Sequence, residues 1–240
     1  MIKKILTELN QFRKDPIMDL SKSNFKAGKI KLFFILFGIN LLVGFFILSF
    51  ITGAIRIIFH INFSPIDITL AQLLIANIVF IPVFEEIAFR LPLKLSKWNI
   101  SLSLYVITFF VCSYFYKIDP ININNFLYQR LLISFVVFLL AFAFLNNKYV
   151  FEAVYSFITQ NYKLFFYTLL LLFTLRHIDN YQLNLITFLL LPILLLPQFI
   201  GGFFMAYTRL KINFISAIIF HFLINLISFL PQLTFLLYGN

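Results

Sequence analysis

Residues 70–93 read LAQLLIANIVFIPVFEEIAFRLPL. The stretch is long and apolar enough to cross a bilayer, which takes about 20 residues. Yet it holds two adjacent carboxylates, Glu85 and Glu86, with Arg90 one helical turn after Glu86. On insertion scales a single acidic residue at mid-membrane costs about 2.5–3.5 kcal/mol, and two neighbours cost more. Such a pair requires partners or a task.

The rest of the chain agrees with a membrane setting. Apolar residues make up 62% of the 240 and charged residues only 12%, against roughly 25% charged in soluble domains; mean hydropathy is +0.97. The expected fold is an all-α, polytopic transmembrane bundle with the N-terminus cytosolic, in the cell membrane. Hydrophobic runs predict seven spans, near 32–52, 70–93, 100–116, 127–145, 163–179, 184–207 and 213–230. The segment 146–160 reads as a polar break between spans. Pro192 and Pro197 leave open whether 184–207 is one kinked helix or two. Residues 1–31 form a basic arm ahead of a bundle over 32–240.

The net charge of +10 does not point to nucleic acid, because of where it lies. Eight basic residues fall in the first 31, from Lys3 to Lys31. The arm is expected to rest on an anionic inner leaflet. With the N-terminus inside, cytosolic segments hold 15 Lys and Arg residues and outer segments four, Arg56, Lys117, Arg130 and Arg176. That asymmetry obeys the positive-inside rule. The single cysteine, Cys112, excludes an intramolecular disulfide and reads as a packing residue.

Few polar groups lie well inside predicted spans. Besides Glu85 and Glu86 they include His177, His221 and Asn225. His221 and Asn225 are four apart and share a helix face. Counted from cytosolic ends at about 1.5 Å per residue, Glu85 lies roughly 18 Å deep if its helix continues through Pro92. His177 lies roughly 21 Å and His221 roughly 15 Å deep on the same count. Three helices therefore bring a carboxylate and two imidazoles to a similar level.

These residues resemble the motifs of the CAAX-protease and bacteriocin-processing (CPBP, or Abi) family of intramembrane endopeptidases. E-E-x-x-x-R matches Glu85 to Arg90, F-x-x-x-H matches Phe173 to His177, and H-x-x-x-N matches His221 to Asn225. The segment from Gly201 to Lys211 is similar to the Gly-containing helix before the third motif. The resemblance covers roughly 70–230. The chain departs from the pattern in the separation of Arg90 and His177 by 87 positions, and in Leu91-Pro92 and Arg209 where glycines are usual.

The resemblance implies hydrolysis of a peptide bond in a membrane-associated, lipidated or leader peptide. Glu85 would be the general base, helped by His177. His221 and Asn225 would stabilise the oxyanion, and Glu86 with Arg90 would orient the site. It implies a metal-free route with no cofactor. Two histidines and a carboxylate, Glu85, His177 and His221, are also a possible ligand set for zinc. Two non-enzymatic readings stand beside it. One is a catalytically silent membrane protein that acts by binding, in bacteriocin immunity or as a sensor partner. The other is a proton-coupled transporter, which the lack of an internal repeat disfavours.

Overall fold

The computed structural model describes residues 2–16, 28–63, 76–116 and 126–238, with side chains to residue 230. Among these the chain is helical throughout and has no strand. One isolated bridge joins Phe63 and Tyr181. Among the described residues four helical segments are long and apolar enough to cross a membrane: Lys29–Ile58, Lys97–Phe115, Leu127–Asn146 and Leu185–Lys211. Of the expected span at 70–93, residues 70–75 lie outside the described part.

The order along the chain is α1 (Ile2–Lys14), α2 (Lys29–Asn40) running through a π-helical stretch Leu41–Leu48 into α3 (Ser49–Ile58), and a second π turn (Ala76–Phe80) leading into α4 (Ile81–Phe89). Then follow α5 (Lys97–Phe115), α6 (Leu127–Asn146), α7 (Lys148–Gln160), α8 (Tyr162–Leu175), α9 (Leu185–Leu194), α10 (Leu196–Lys211) and α11 (Phe214–Tyr238).

The core forms where α10 packs against α8, α11 and α2. Every residue of α10 from Gly201 to Lys211 is buried. Small residues permit this closeness. A Cβ on Gly202 would lie 2.8 Å from Leu170 Cδ1 and from Phe173 Cδ1, nearer than van der Waals contact allows. In α2 and its π extension, a Cβ on Gly44 would lie 2.9 Å from the Asn40 amide oxygen.

Three expectations are revised and one open alternative, the third below, is decided. First, the helix bearing Glu85 does not continue through Pro92. It ends at Phe89, and Leu91–Leu93 form a tight 3₁₀ turn. Pro92 has no N–H to give to the Ala88 carbonyl, so the ladder stops there. The depth count for Glu85 through Pro92 therefore fails. Second, 146–160 is not a mere polar break. It holds α7, capped by Asn147 Oδ1, which accepts from Tyr149 N at 3.0 Å. No residue of α7 is buried; it is amphipathic rather than apolar, and a hydropathy reading passes over it. Third, 184–207 is two helices with Leu195 between them. Pro197, near the start of the second, cannot donate back to the first. Fourth, His177 does not sit on an α-helix. α8 stops at Leu175, and His177 belongs to the 3₁₀ turn Arg176–Asn180.

The first part of the basic arm is folded onto the bundle. α1 buries Ile5, Leu9 and Phe12. The Phe12 ring meets Phe166 edge-on at 5.1 Å and Tyr207 at 5.2 Å. Its only acid, Glu8, pairs with Lys211 at the end of α10, and the Tyr167 hydroxyl donates to the Arg13 carbonyl. This end of the bundle also holds the chain leaving α4, because Tyr162 at the start of α8 donates its hydroxyl to the Leu93 carbonyl at 2.9 Å. Lys97 donates to Asn146 Oδ1 at 3.1 Å, which makes α5 and α6 an antiparallel hairpin with its open end here.

Candidate functional site

Two prolines bracket the glutamates, and each frees a carbonyl. In a π turn each carbonyl is met by the N–H five residues on. For Asn77 that residue is Pro82, which has none. Asn225 of α11 supplies the missing donor, its Nδ2 lying 2.7 Å from the Asn77 carbonyl. At the other end Pro92 frees the Ala88 carbonyl, and Ser103 of α5 donates its hydroxyl there at 2.6 Å. Beyond it, Arg209 Nε of α10 donates to the Arg90 carbonyl at 3.4 Å. Helix α4 is short, but carbonyls in it and just before and after it are held by side chains of α5, α8, α10 and α11. A buried carbonyl left without a donor costs about 1–3 kcal/mol, so these ties fix the position of the glutamates.

The side chains of Glu85, Glu86, Arg90 and His221 are almost wholly buried. His221 Nδ1 lies 3.0 Å from Glu86 Oε1 and its Nε2 3.5 Å from Glu85 Oε2. Arg90 Nη1 lies 3.5 Å from the same Glu86 oxygen. The Arg90 guanidinium stacks 3.6 Å over the Phe173 ring, a contact worth about 2 kcal/mol or more where water is excluded. Phe173 also touches both histidines, with ring centroids 5.0 Å from His177 and 5.8 Å from His221. The first residue of each second and third motif thus packs onto the first motif.

The predicted residues divide by role. Glu85, Glu86, Arg90 and His221 form one buried cluster between α4 and α11. His177 is half-buried beside it, near enough to feel the charges of Glu85, Arg176, His221 and Arg90. Asn225 is half-buried, and its amide donates to the Asn77 carbonyl. Glu85, His177 and His221 do not form a ligand set. Among the described residues no three His, Cys, Asp or Glu side chains are placed to hold a metal ion.

One member was missed in the sequence. Arg176 Nε lies 3.9 Å from Glu85 Oε1, and its guanidinium is 4.8 Å from the Phe110 ring of α5. The sequence signal existed: Arg176 is a cation next to a motif histidine inside an apolar run. It was counted instead among outer-side charges. Two carboxylates therefore face two arginines with an imidazole between them. Charges of both signs at one point satisfy the need that a buried pair of like charges creates.

In comparison with known proteins, the chain matches no family model, no curated protein and no solved structure at a significant level.

Proposed function

We propose that the chain is an intramembrane endopeptidase that hydrolyses a peptide bond in a membrane-associated substrate. The reading includes seven spans with the basic end of the bundle in the cytosol, and it rests on the resemblance to CPBP-type proteases. The observation that carries it is the convergence of three separate motifs on one buried cluster: Glu85 and Glu86, the Phe173–His177 turn, and His221. Burial of two carboxylates in an apolar bundle is costly, and structural glue would be served by fewer charges.

In this reading Glu85 takes a proton from the attacking water as the oxygen adds to the scissile carbonyl. It returns that proton to the leaving amine. His177, half-exposed at the edge of the cluster, helps hold the water. Glu86 and Arg90 fix His221. The steps are written with the chain's own residues.

A second reading has an observation in its favour. The side chains named as oxyanion donors already bond within the protein, Asn225 to Asn77 and His221 to both glutamates. A silent protein that acts by binding would use them as ties alone. Cleavage of a quenched fluorescent peptide panel by detergent-purified protein separates the two, with Glu85→Gln run in parallel. Turnover lost in Glu85→Gln at unchanged folded yield supports the protease. Turnover retained in that variant removes Glu85 as the base, and absence of any turnover favours the binding protein.

A further inference from the structure

Hydrolysis leaves negative charge on the carbonyl oxygen, and some donor must meet it. The cluster's own arrangement narrows the choice. Asn225 is drawn away toward the π turn before α4, where it replaces the N–H that Pro82 lacks. His221 has Glu86 on one ring nitrogen and Glu85 near the other. The Arg90 guanidinium lies against Glu86 and Phe173, at the closed side of the cluster, with a side chain 2% exposed.

Arg176 differs in its exposure. Its side chain is 21% exposed, against 2% for Arg90 and 4% for His221. Its Nε is buried and has no hydrogen-bond acceptor. It lies 3.9 Å from Glu85 Oε1, too far for a hydrogen bond and near enough for both groups to act on one carbonyl. Phe110 of α5 backs the guanidinium at 4.8 Å, which limits its freedom.

We propose that Arg176 is the oxyanion donor of this site, a role that rests on the protease reading. As water adds to the carbonyl carbon, its proton passes to Glu85 and the C=O electron pair moves onto oxygen. The Arg176 guanidinium donates to that oxygen. When the tetrahedral intermediate collapses, the C–N bond breaks and the amine takes the proton from Glu85. Arg176 is unchanged at the end of the cycle.

The alternative is a plain counter-ion that keeps Glu85 ionised, and the two roles leave different kinetic traces. The experiment is the pH–rate profile of wild type, Arg176→Gln, Arg176→Lys and Glu85→Gln on one cleaved peptide, with thermal unfolding of each in detergent. An oxyanion donor predicts a plateau kcat lower by about 10²–10³ in Arg176→Gln at every pH, with KM nearly unchanged. Arg176→Lys should recover part of the rate, since charge returns without the planar guanidinium. A counter-ion predicts a displaced acid limb with the wild-type plateau reached at higher pH, and that result overturns the proposal. If Arg176→Gln does not fold, a wild-type plateau in Arg176→Lys overturns it equally. Glu85→Gln tells the two failures apart. Activity retained there sinks the protease mechanism itself, whereas Glu85→Gln inactive beside a wild-type plateau in Arg176→Gln sinks only the assignment of Arg176.

Discussion

His221 Nδ1 stands 3.0 Å from Glu86 Oε1, and the same ring turns its Nε2 toward Glu85 at 3.5 Å. Adjacent residues on a helix point about 100° apart. One imidazole from α11 is therefore inserted between two neighbouring carboxylates of α4 and joins the helices through both.

The Glu86–Arg90 pair should behave as a unit. Arg90→Met leaves Glu86 buried without its arginine, and breaking a buried pair costs about 3–5 kcal/mol. Thermal unfolding in detergent should fall sharply for Arg90→Met and for Glu86→Gln, and less than additively for the double variant. Simple additivity would mean that the two charges are supported independently.

Ser103 should matter only because of Pro92. Ser103→Ala orphans the Ala88 carbonyl and is expected to destabilise by about 1–3 kcal/mol. In a Pro92→Ala background an N–H is restored at position 92, and the same change should cost less. A double-mutant cycle measures the coupling; a coupling near zero would show that Ser103 acts elsewhere.

Asn225 and Pro82 should be coupled in the same manner. Asn225→Leu is expected to lower stability, and Pro82→Ala to soften that loss by giving the Asn77 carbonyl a backbone donor. If Asn225→Leu leaves unfolding unchanged, the tie from α11 to the π turn is not what positions the glutamates.

The adjacent glycines of α10 should differ. A methyl on Gly202 meets Leu170 and Phe173 at 2.8 Å, whereas the nearest atom to a methyl on Gly201 is 3.9 Å away. Gly202→Ala should cost about 1–3 kcal/mol through overpacking and displace the ring on which Arg90 sits. Gly201→Ala should be near neutral. Equal effects on thermal unfolding would contradict the packing described here.

Helix α1 should be required for the stability of the bundle. Glu8→Ala removes the carboxylate paired with Lys211, whose side chain is only 4% exposed. The expected result is a lower unfolding temperature and earlier proteolysis within residues 2–16. Unchanged protease sensitivity would argue that α1 is held by its apolar face alone.

Much of the site was legible because intramembrane charge is rare. In a chain with 12% charged residues, Glu85, Glu86, Arg90, His177 and His221 stand out against apolar neighbours, and all five meet at or beside one cluster. Arg176 stood out equally, but the sequence does not say whether a cation near a span end faces the loop or turns inward. The contributions of Ser103, Tyr162 and Arg209 had no sequence signal. Each acts on a backbone carbonyl of another helix, and no side-chain pattern records which carbonyls go unpaired.

The sequence by itself determined the helical class, the segments apolar enough to cross a membrane and the charges set among them, since composition and hydropathy are properties of single segments. It also fixed where α4 must break, because a proline lacks its N–H wherever the chain later goes. Tertiary structure alone decided that Asn225 and Ser103 fill the gaps those prolines leave, that α1 docks on the bundle, and that Arg176 turns toward Glu85. Those outcomes depend on which helices lie side by side. That choice is made by packing over the whole bundle, with Gly202 admitting α8 to α10 and Phe173 carried inward to meet Arg90.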